Sequence, residues 1–516
     1  MPVAMVVLME TLVSGSQPVG WVASGHGTPG FRRIQLVLAP EAEVRFGEIL
    51  YVTLRHGQGF VARVLEATEI NPNAEPARVH AARAFQLEVP LRGSNSSPEV
   101  VRTAACELIE EVTHDGPSGT FHLSSPRSAP VTGAAAYRAS PRLVEHTFGF
   151  RRESWGIHLG AEDTTGTDVF LPPEAVARHI AILGRPGTGK SYTTGVIMEE
   201  LRDAGVPVVC LDLTGENIQA TRELGGTVLD PGRHFTVRLS YLSSHEVPHL
   251  APSLSPDQRD LVVDVFESVH QTHGYNWEPS LLYTAIAQAG RSLGGGQVQV
   301  ARRAVDRLRY HLQNREFIGP GTDWPDLFLR HPIITVNARP LSQSNARLMA
   351  AALCRELLNR RQQDAIPAFV LVLDEAHILI PSDDDAPSGD VIAFLLRVGR
   401  HLAIGVVLVT QSPSRIRREA LMLANTRIVH ALDGAEMGAI SGLLGDAPRE
   451  LESRIPIMQA GTAVLCGSQE IVRHTCLVGV RRRRTTHGAP TPDIRQLATR
   501  WLGGRGATAG RSPGAS

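Results

Sequence analysis

The sequence predicts an α/β fold, in which a mostly parallel sheet covered by helices on both faces follows a small antiparallel β-domain. Two patterns and one motif predict it. From about residue 178 to 480, short apolar runs alternate with helix-length segments, as βαβ units require. Before residue 150 the apolar runs are short and follow one another across Gly, Pro and Asn, without intervening helices. Between a hydrophobic strand and a helix stands the octet Gly184-Arg-Pro-Gly-Thr-Gly-Lys190-Ser191, whose glycines suit a phosphate-binding turn.

Each element follows in order. The runs Val3–Leu8, Arg33–Leu38, Ile49–Leu54, Phe60–Leu65 and Phe85–Val89 read as strands of a small barrel or sandwich. Met1–Val13 is apolar but lacks a basic leader, and Glu10 interrupts it, so it is read as the first strand. Leu91–Pro141, rich in Ser, Pro and Ala, is expected as a long loop or linker. Then come the strand His179–Leu183, a helix near Ser191–Ala204 and the strand Val206–Leu213. Leu254–Gln313 is helical, broken by Gly294–Gly296, within an insertion spanning about residues 245–330. Strands Ile333–Val336 and Phe369–Leu373 flank the helix Asn345–Gln363. Ile404–Thr410, Thr426–Ala431, Thr462–Cys466 and Glu470–Val480 complete the sheet. The expected division is a β-domain with linker at 1–150, an α/β domain carrying the octet at 151–480, and a basic, partly disordered tail at 481–516.

Bulk composition limits the function. A chain of 516 residues exceeds one compact core. With 42% hydrophobic residues, 20% charged residues and a formal net charge of −1, it is neither mostly disordered nor a basic coat for nucleic acid. Contact with DNA therefore requires local arginines in a groove or pore. The five cysteines form no CxxC pair, so reduced, partly buried thiols in a cytoplasm are expected instead of a zinc site or disulfide framework.

Lysine and arginine total 51, yet Lys190 is the only lysine. Such a bias follows from a GC-rich genome, in which arginine replaces lysine wherever either cation serves. The retained lysine marks a site needing a compact ammonium on a flexible stem. The octet fits GxxxxGK[ST]: backbone N–H groups converge on phosphates, Lys190 neutralises them, and the Ser191 hydroxyl ligands Mg²⁺. Gly184, Pro186, Gly187, Thr188, Gly189, Lys190, Ser191 and Tyr192 are thus the expected nucleotide-binding residues. The apolar run Phe369–Leu373 ends in Asp374 and Glu375, suited to holding the Mg²⁺ shell and polarising the attacking water. A third run, Val406–Thr410, ends in Gln411, placed to sense the γ-phosphate.

On these segments the stretch from Arg178 to about Val480 resembles the HerA/FtsK branch of hexameric DNA-translocating ATPases, HerA in particular. The carrying segments are ARHIAILGRPGTGKSYT, VPVVCLDLTGEN, ITVNARPLSQSNARLMAAALCRELLNRR, VLVLDEAHILIP, RVGRHLAIGVVLVTQSPSRI and ANTRIVHAL. The resemblance implies a RecA-like P-loop ATPase core behind a small N-terminal β-barrel, with ATP and Mg²⁺ as cofactors. It implies that Thr193 shares the nucleotide helix and that Arg400 reaches across a subunit boundary as an arginine finger. It implies that Arg178 acts near the same interface. It also implies a homohexamer acting on double-stranded DNA beside a NurA-like partner nuclease in end processing or repair. The alternative it leaves open is a ring that scaffolds a separate nuclease or NADase effector in anti-phage defence. This chain departs from the family in having Gly399-Arg400-His401 and the loop Asp212-Leu-Thr-Gly-Glu-Asn217.

For DNA, Arg415, Arg417 and Arg418 after Gln411 are candidates to grip phosphates. Arg481–Arg484 stand either for DNA or for a partner. Asp383–Asp385 are expected as a solvated loop. The letters Asp-Glu-Ala-His also suggest a superfamily-two helicase, but the residues after Val480 are too few for its second RecA-like half.

Overall fold

A computed structural model describes residues 11–25, 29–54, 58–70, 101–114, 121–382 and 386–486. The expected strands Val3–Leu8 and Phe85–Val89, the loop Asp383–Asp385 and the tail beyond 486 lie outside the described residues.

Among the described residues seven strands build the first domain: β1 (Gly20–Ala23), β2 (Arg33–Leu38), β3 (Ile49–Thr53), β4 (Gly59–Ile70), β5 (Val101–His114), β6 (Phe121–Ser124) and β7 (Ala135–Arg138). Their order is β2-β1-β7-β3-β4-β5-β6, and a further β2–β5 pairing closes six of them into an antiparallel barrel. Closure removes the unpaired edges that would template aggregation. Ile34, Leu36, Leu50, Val52, Phe60, Ala62, Val64, Ala104 and Cys106 fill the interior.

The expected Leu91–Pro141 linker is corrected here, because β5, β6 and β7 run through it. Its Ala and Glu residues have low strand propensity, but β5 pairs along its length with β4 and β2. Cross-strand burial outweighs intrinsic preference.

The second domain is an eleven-stranded sheet. Its strands are β8 (Ile157–Glu162), β9 (Asp168–Leu171), β10 (Ile180–Leu183), β11 (Val208–Asp212), β12 (Thr227–Leu229) and β13 (Ile333–Asn337), then β14 (Phe369–Leu373), β15 (Ile404–Thr410), β16 (Thr426–Val429), β17 (Thr462–Gly467) and β18 (Cys476–Val480). The order is β12-β13-β11-β14-β15-β10-β16-β17-β18-β8-β9. Pairing is parallel from β12 to β16 and antiparallel beyond. Ile180, Ile182, Val208 and Cys210 pack on one face, and Ala181, Leu183, Val209 and Leu211 on the other. This two-sided burial explains the continuous apolar runs. The hairpin β8–β9 was not anticipated, and the strand expected over Glu470–Val480 starts only at Cys476.

The insertion contains the helices Pro256–His273, Pro279–Leu293 and Gln297–Gln313. Gly294 and Gly295 break the last two with φ of 68° and 55°, a left-handed turn that favours glycine. Barrel and ATPase sheet share a hydrophobic cluster that includes Ile49, Tyr51, Val61, Leu143, Leu465 and Val478. Over that seam Glu110 of β5 accepts from Arg473 at 2.8 Å, and the His474 ring bridges Glu110 (3.2 Å) and Asp446 (2.6 Å). All five cysteines are buried and free. Among the described residues no helix is long and apolar enough to cross a membrane.

Candidate nucleotide site

The site lies at the C-terminal ends of four adjacent parallel strands, where open α/β sheets place their ligands. Register brings the motifs together. Leu183 pairs with Thr410, which sets Gln411 beside Gly184. Leu211 pairs with Leu373, so that Asp212 flanks Asp374. Residues 162 and 227 positions apart thus meet along one sheet edge.

Between β10 and the helix Lys190–Asp203 the chain turns through Gly187 (φ 78°) and Gly189 (φ 122°). These angles let successive N–H groups face one concavity, as an anion cradle requires. The turn is held from within: Thr188 Oγ1 donates to the Arg185 carbonyl at 2.7 Å, and Lys190 Nζ donates to the same oxygen at 3.2 Å. Beneath it lies His430, which is fully buried. Its Nδ1 donates to the Thr462 carbonyl (3.0 Å), which leaves Nε2 to accept from Thr193 Oγ1 (2.9 Å). Burial pushes this imidazole down to about 4 and keeps it neutral. A β-carbon at Gly184 would stand 2.7 Å from that of His430, so only glycine lets the loop rest on the ring.

Opposite the loop, Asp374 is 7% exposed and accepts from Thr214 Oγ1 at 2.7 Å. Glu375 sits at φ 47° in the left-handed region, opening the one-turn helix Ala376–Leu379. A non-glycine residue held there is strained backbone of the kind that clusters at active sites. Its carboxylate lies 3.2 Å from His377 Nδ1, which is also 3.1 Å from Thr410 Oγ1. Asp212 accepts N–H groups from Thr214, Gly215 and Asn217, folding the 212–217 loop back toward the site. Glu216 on that loop takes the Ser191 hydroxyl.

Three carboxylates, Glu375, Asp374 and Glu216, therefore face one ammonium, with Asp212 beside Asp374. Burial, then Asp212, Glu375 and Glu216, push Asp374 up to about 8 against a single Thr214 hydrogen bond. Burial lowers Lys190, and Glu375, Asp374 and Glu216 pull it back. Such a surplus of negative charge suits a divalent cation. Among the described residues no three such side chains converge on one metal-sized point. Mg²⁺ takes only one or two protein carboxylates, with phosphate and water completing its octahedron.

The predicted arginines differ. Arg400 is exposed, and its guanidinium makes no hydrogen bond or ion pair among the described residues. His179, at φ 67° and buried, braces the turn before it, because Val406 N–H donates to Nδ1 (3.1 Å) and Nε2 donates to the Leu396 carbonyl (2.9 Å). Arg178 pairs with Glu470. Of the candidates for DNA, Arg417 pairs with Asp390 at 2.6 Å, whereas Arg415 and Arg418 are exposed. The Tyr192 hydroxyl accepts the Arg483 N–H at 2.5 Å. Of Arg481–Arg484, expected to meet DNA or a partner, Arg481, Arg483 and Arg484 pack on the nucleotide helix instead.

Sequence reasoning missed Asp212, Thr214, Glu216 and His430. An acidic strand end followed by Thr-Gly-Glu was the available signal for the first three. His430 carried none, because a histidine ending an apolar strand has no distinctive spacing.

Comparison with known proteins agrees with this geometry. Residues 157–357 match the family model described as "Helicase HerA, central domain". Probable helicase MJ1565 of Methanocaldococcus jannaschii is 21% identical over 371 residues, covering 67% of this chain and 70% of that protein. The DNA double-strand break repair helicase HerA of Pyrococcus furiosus is 21% identical over 471 residues, covering 78% and 82%. Among solved structures, VirB4 of Thermoanaerobacter pseudethanolicus aligns with a TM-score of 0.49 at 15% identity, covering 67% of this chain and 99% of that one. Residues 157–357 therefore match a HerA helicase central domain, and the glycine loop and acidic strand end give the chain the site of a P-loop ATPase.

Proposed function

We propose that the chain is an ATP-driven translocase for double-stranded DNA that works as a homohexameric ring. The observation that carries this reading is the chain's sole lysine, buried at a glycine turn and facing Glu216 and the acidic end of β14. In this reading the backbone from Gly184 through Pro186, Gly187, Thr188 and Gly189 to Tyr192 cradles the phosphates, with Lys190 neutralising them. Ser191 and Asp374 hold Mg²⁺, exchanging the Glu216 and Thr214 hydrogen bonds for the metal. Bound there, Mg²⁺·ATP supplies the phosphoanhydride bond whose cleavage drives the motor. Glu375 orients the attacking water, and Gln411 at the adjoining strand end senses the γ-phosphate.

Arg400, exposed and unpartnered among the described residues, is the arginine offered to a neighbouring subunit. Arg178 joins it only when its pair with Glu470 opens. The Pyrococcus furiosus relative is named a double-strand break repair helicase, which supports DNA as the substrate; a nuclease that processes broken ends is the partner this reading expects.

The test is ATP turnover of the purified chain with and without duplex DNA. The motor reading expects stimulation by DNA alone. If duplex DNA leaves turnover unchanged and a co-encoded effector raises it, the ring is a scaffold for that effector, as in anti-phage defence. Arg400→Ala should bind ATP yet hydrolyse very little. Mixing it with Lys190→Ala subunits should restore some activity, and no recovery would remove catalysis across the interface.

A further inference from the structure

Three arginines of the run 481–484, Arg481, Arg483 and Arg484, are engaged inside the chain. Leaving β18, the backbone crosses the helix Lys190–Asp203. Arg481 spans Glu199 at 2.9 Å and Glu200 at 2.6 Å, while Arg484 reaches Glu199 at 3.3 Å and Asp203 at 2.6 Å. Thr485 donates its N–H and its hydroxyl to Glu199, both at 2.8 Å. Glu199 is fully buried, and a buried carboxylate is tolerated only with such partners. The helix and the strap are therefore built for each other.

Between these clamps lies Arg483, 9% exposed. Its Nη1 donates to the Ser191 carbonyl at 3.2 Å and its Nε to Thr485 Oγ1 at 2.6 Å. The guanidinium rests on Gly195, where a β-carbon would stand 2.2 Å from Cζ. Helix stability does not account for this contact, because a cation in the first turn opposes the helix dipole. The residue it grips is the serine whose hydroxyl faces the carboxylate cluster.

We propose that Arg483 is a positioning residue of the nucleotide site: the strap 481–486 fixes the first turn of the helix so that Ser191 presents its hydroxyl to the Mg²⁺·nucleotide. The inference rests on the nucleotide reading above. It gives Arg481, Arg483 and Arg484 a role inside the chain. Metal affinity depends on how outer groups orient the ligands, commonly by tenfold or more, and a loosened first turn would misplace Ser191.

Two substitutions test it from opposite sides. Arg483→Ala removes the grip, and Gly195→Ala keeps the arginine but displaces it from its seat. The readouts on the full chain are binding of a fluorescent ADP analogue across a Mg²⁺ titration, and kcat and KM for ATP. Each variant is expected to weaken Mg²⁺-dependent binding about tenfold, with the half-saturating Mg²⁺ concentration raised and little change in EDTA. Added guanidinium ion should partly restore Arg483→Ala and leave Gly195→Ala unchanged. Wild-type Mg²⁺ dependence in both variants would overturn the proposal, as would an equal loss with and without the metal. If Arg483→Ala does not fold, Gly195→Ala decides alone, since alanine favours the helix and a defect there reports the displaced guanidinium. A wild-type chain that binds no nucleotide would overturn the nucleotide reading and this inference together.

Discussion

Replacing Asp374 by Asn should stabilise the nucleotide-free protein while abolishing turnover. Asp374 is 7% exposed, and its carboxyl is pushed from an ordinary value of 3.8 to about 8 by burial and by Asp212, Glu375 and Glu216. At about 1.4 kcal/mol per pK unit, ionising it in the folded chain costs on the order of 6 kcal/mol. Because the neighbouring carboxylates share that cost, a few kcal/mol falls to Asp374 itself. The sign follows from linkage: a raised folded-state value means stability is fully present below the unfolded value near 4 and is lost as pH rises through about 8. Wild-type protein in EDTA should therefore melt at progressively lower temperature between pH 5 and pH 8. The amide carries no titrating proton and can still accept from Thr214, so the variant should show a shallower slope. At pH 8 it should exceed wild type by about 2 kcal/mol, or about 4 °C or more in Tm. Mg²⁺ with nucleotide should close the gap by stabilising wild type alone. Thermal unfolding followed by circular dichroism across that pH range is the assay. Parallel pH slopes, or a less stable Asn variant at pH 8, would refute the electrostatic account.

Lys190→Arg keeps the charge but not the compact ammonium, and should lower ATP turnover by at least about 100-fold in a steady-state phosphate-release assay. His430→Phe strands the Thr193 hydroxyl and the Thr462 carbonyl in the core, so urea unfolding should show a loss of about 2–4 kcal/mol. At the barrel seam, burial opposes the charge of His474, but Asp446 and Glu110 outweigh it and raise its pKa, while Asp446 is held down to about 2. The His474 contribution is present below its unfolded value and fades as pH rises through the folded one; that of Asp446 is present above about 4 and fades as pH falls toward 2. His474→Gln should accordingly cost about 1–3 kcal/mol near pH 5 and less near pH 8, read by chemical denaturation at both values.

The parts of the site readable along the chain were those whose chemistry is local. A cradle for phosphate needs glycines, a lysine and a hydroxyl within eight consecutive residues, and a buried parallel strand needs an unbroken apolar run. GRPGTGKS and FVLVLDE therefore declared themselves. Strands β10, β14 and β15 and the breaks of the helical insertion were legible for the same reason. What no local pattern carried was set by contacts between distant residues. Strand β5, weak in propensity, is a strand because the barrel closes around it. Glu216 belongs to the site because β11 lies beside β14, and His430 because β16 lies beside β10. The arginine run after Val480 reads as a solvated tail until Glu199 and Glu200, about 280 positions earlier, are seen beneath it. Periodicity and composition record which residues avoid water, but the partner of a buried charge is chosen only when the sheet order brings two remote segments into register.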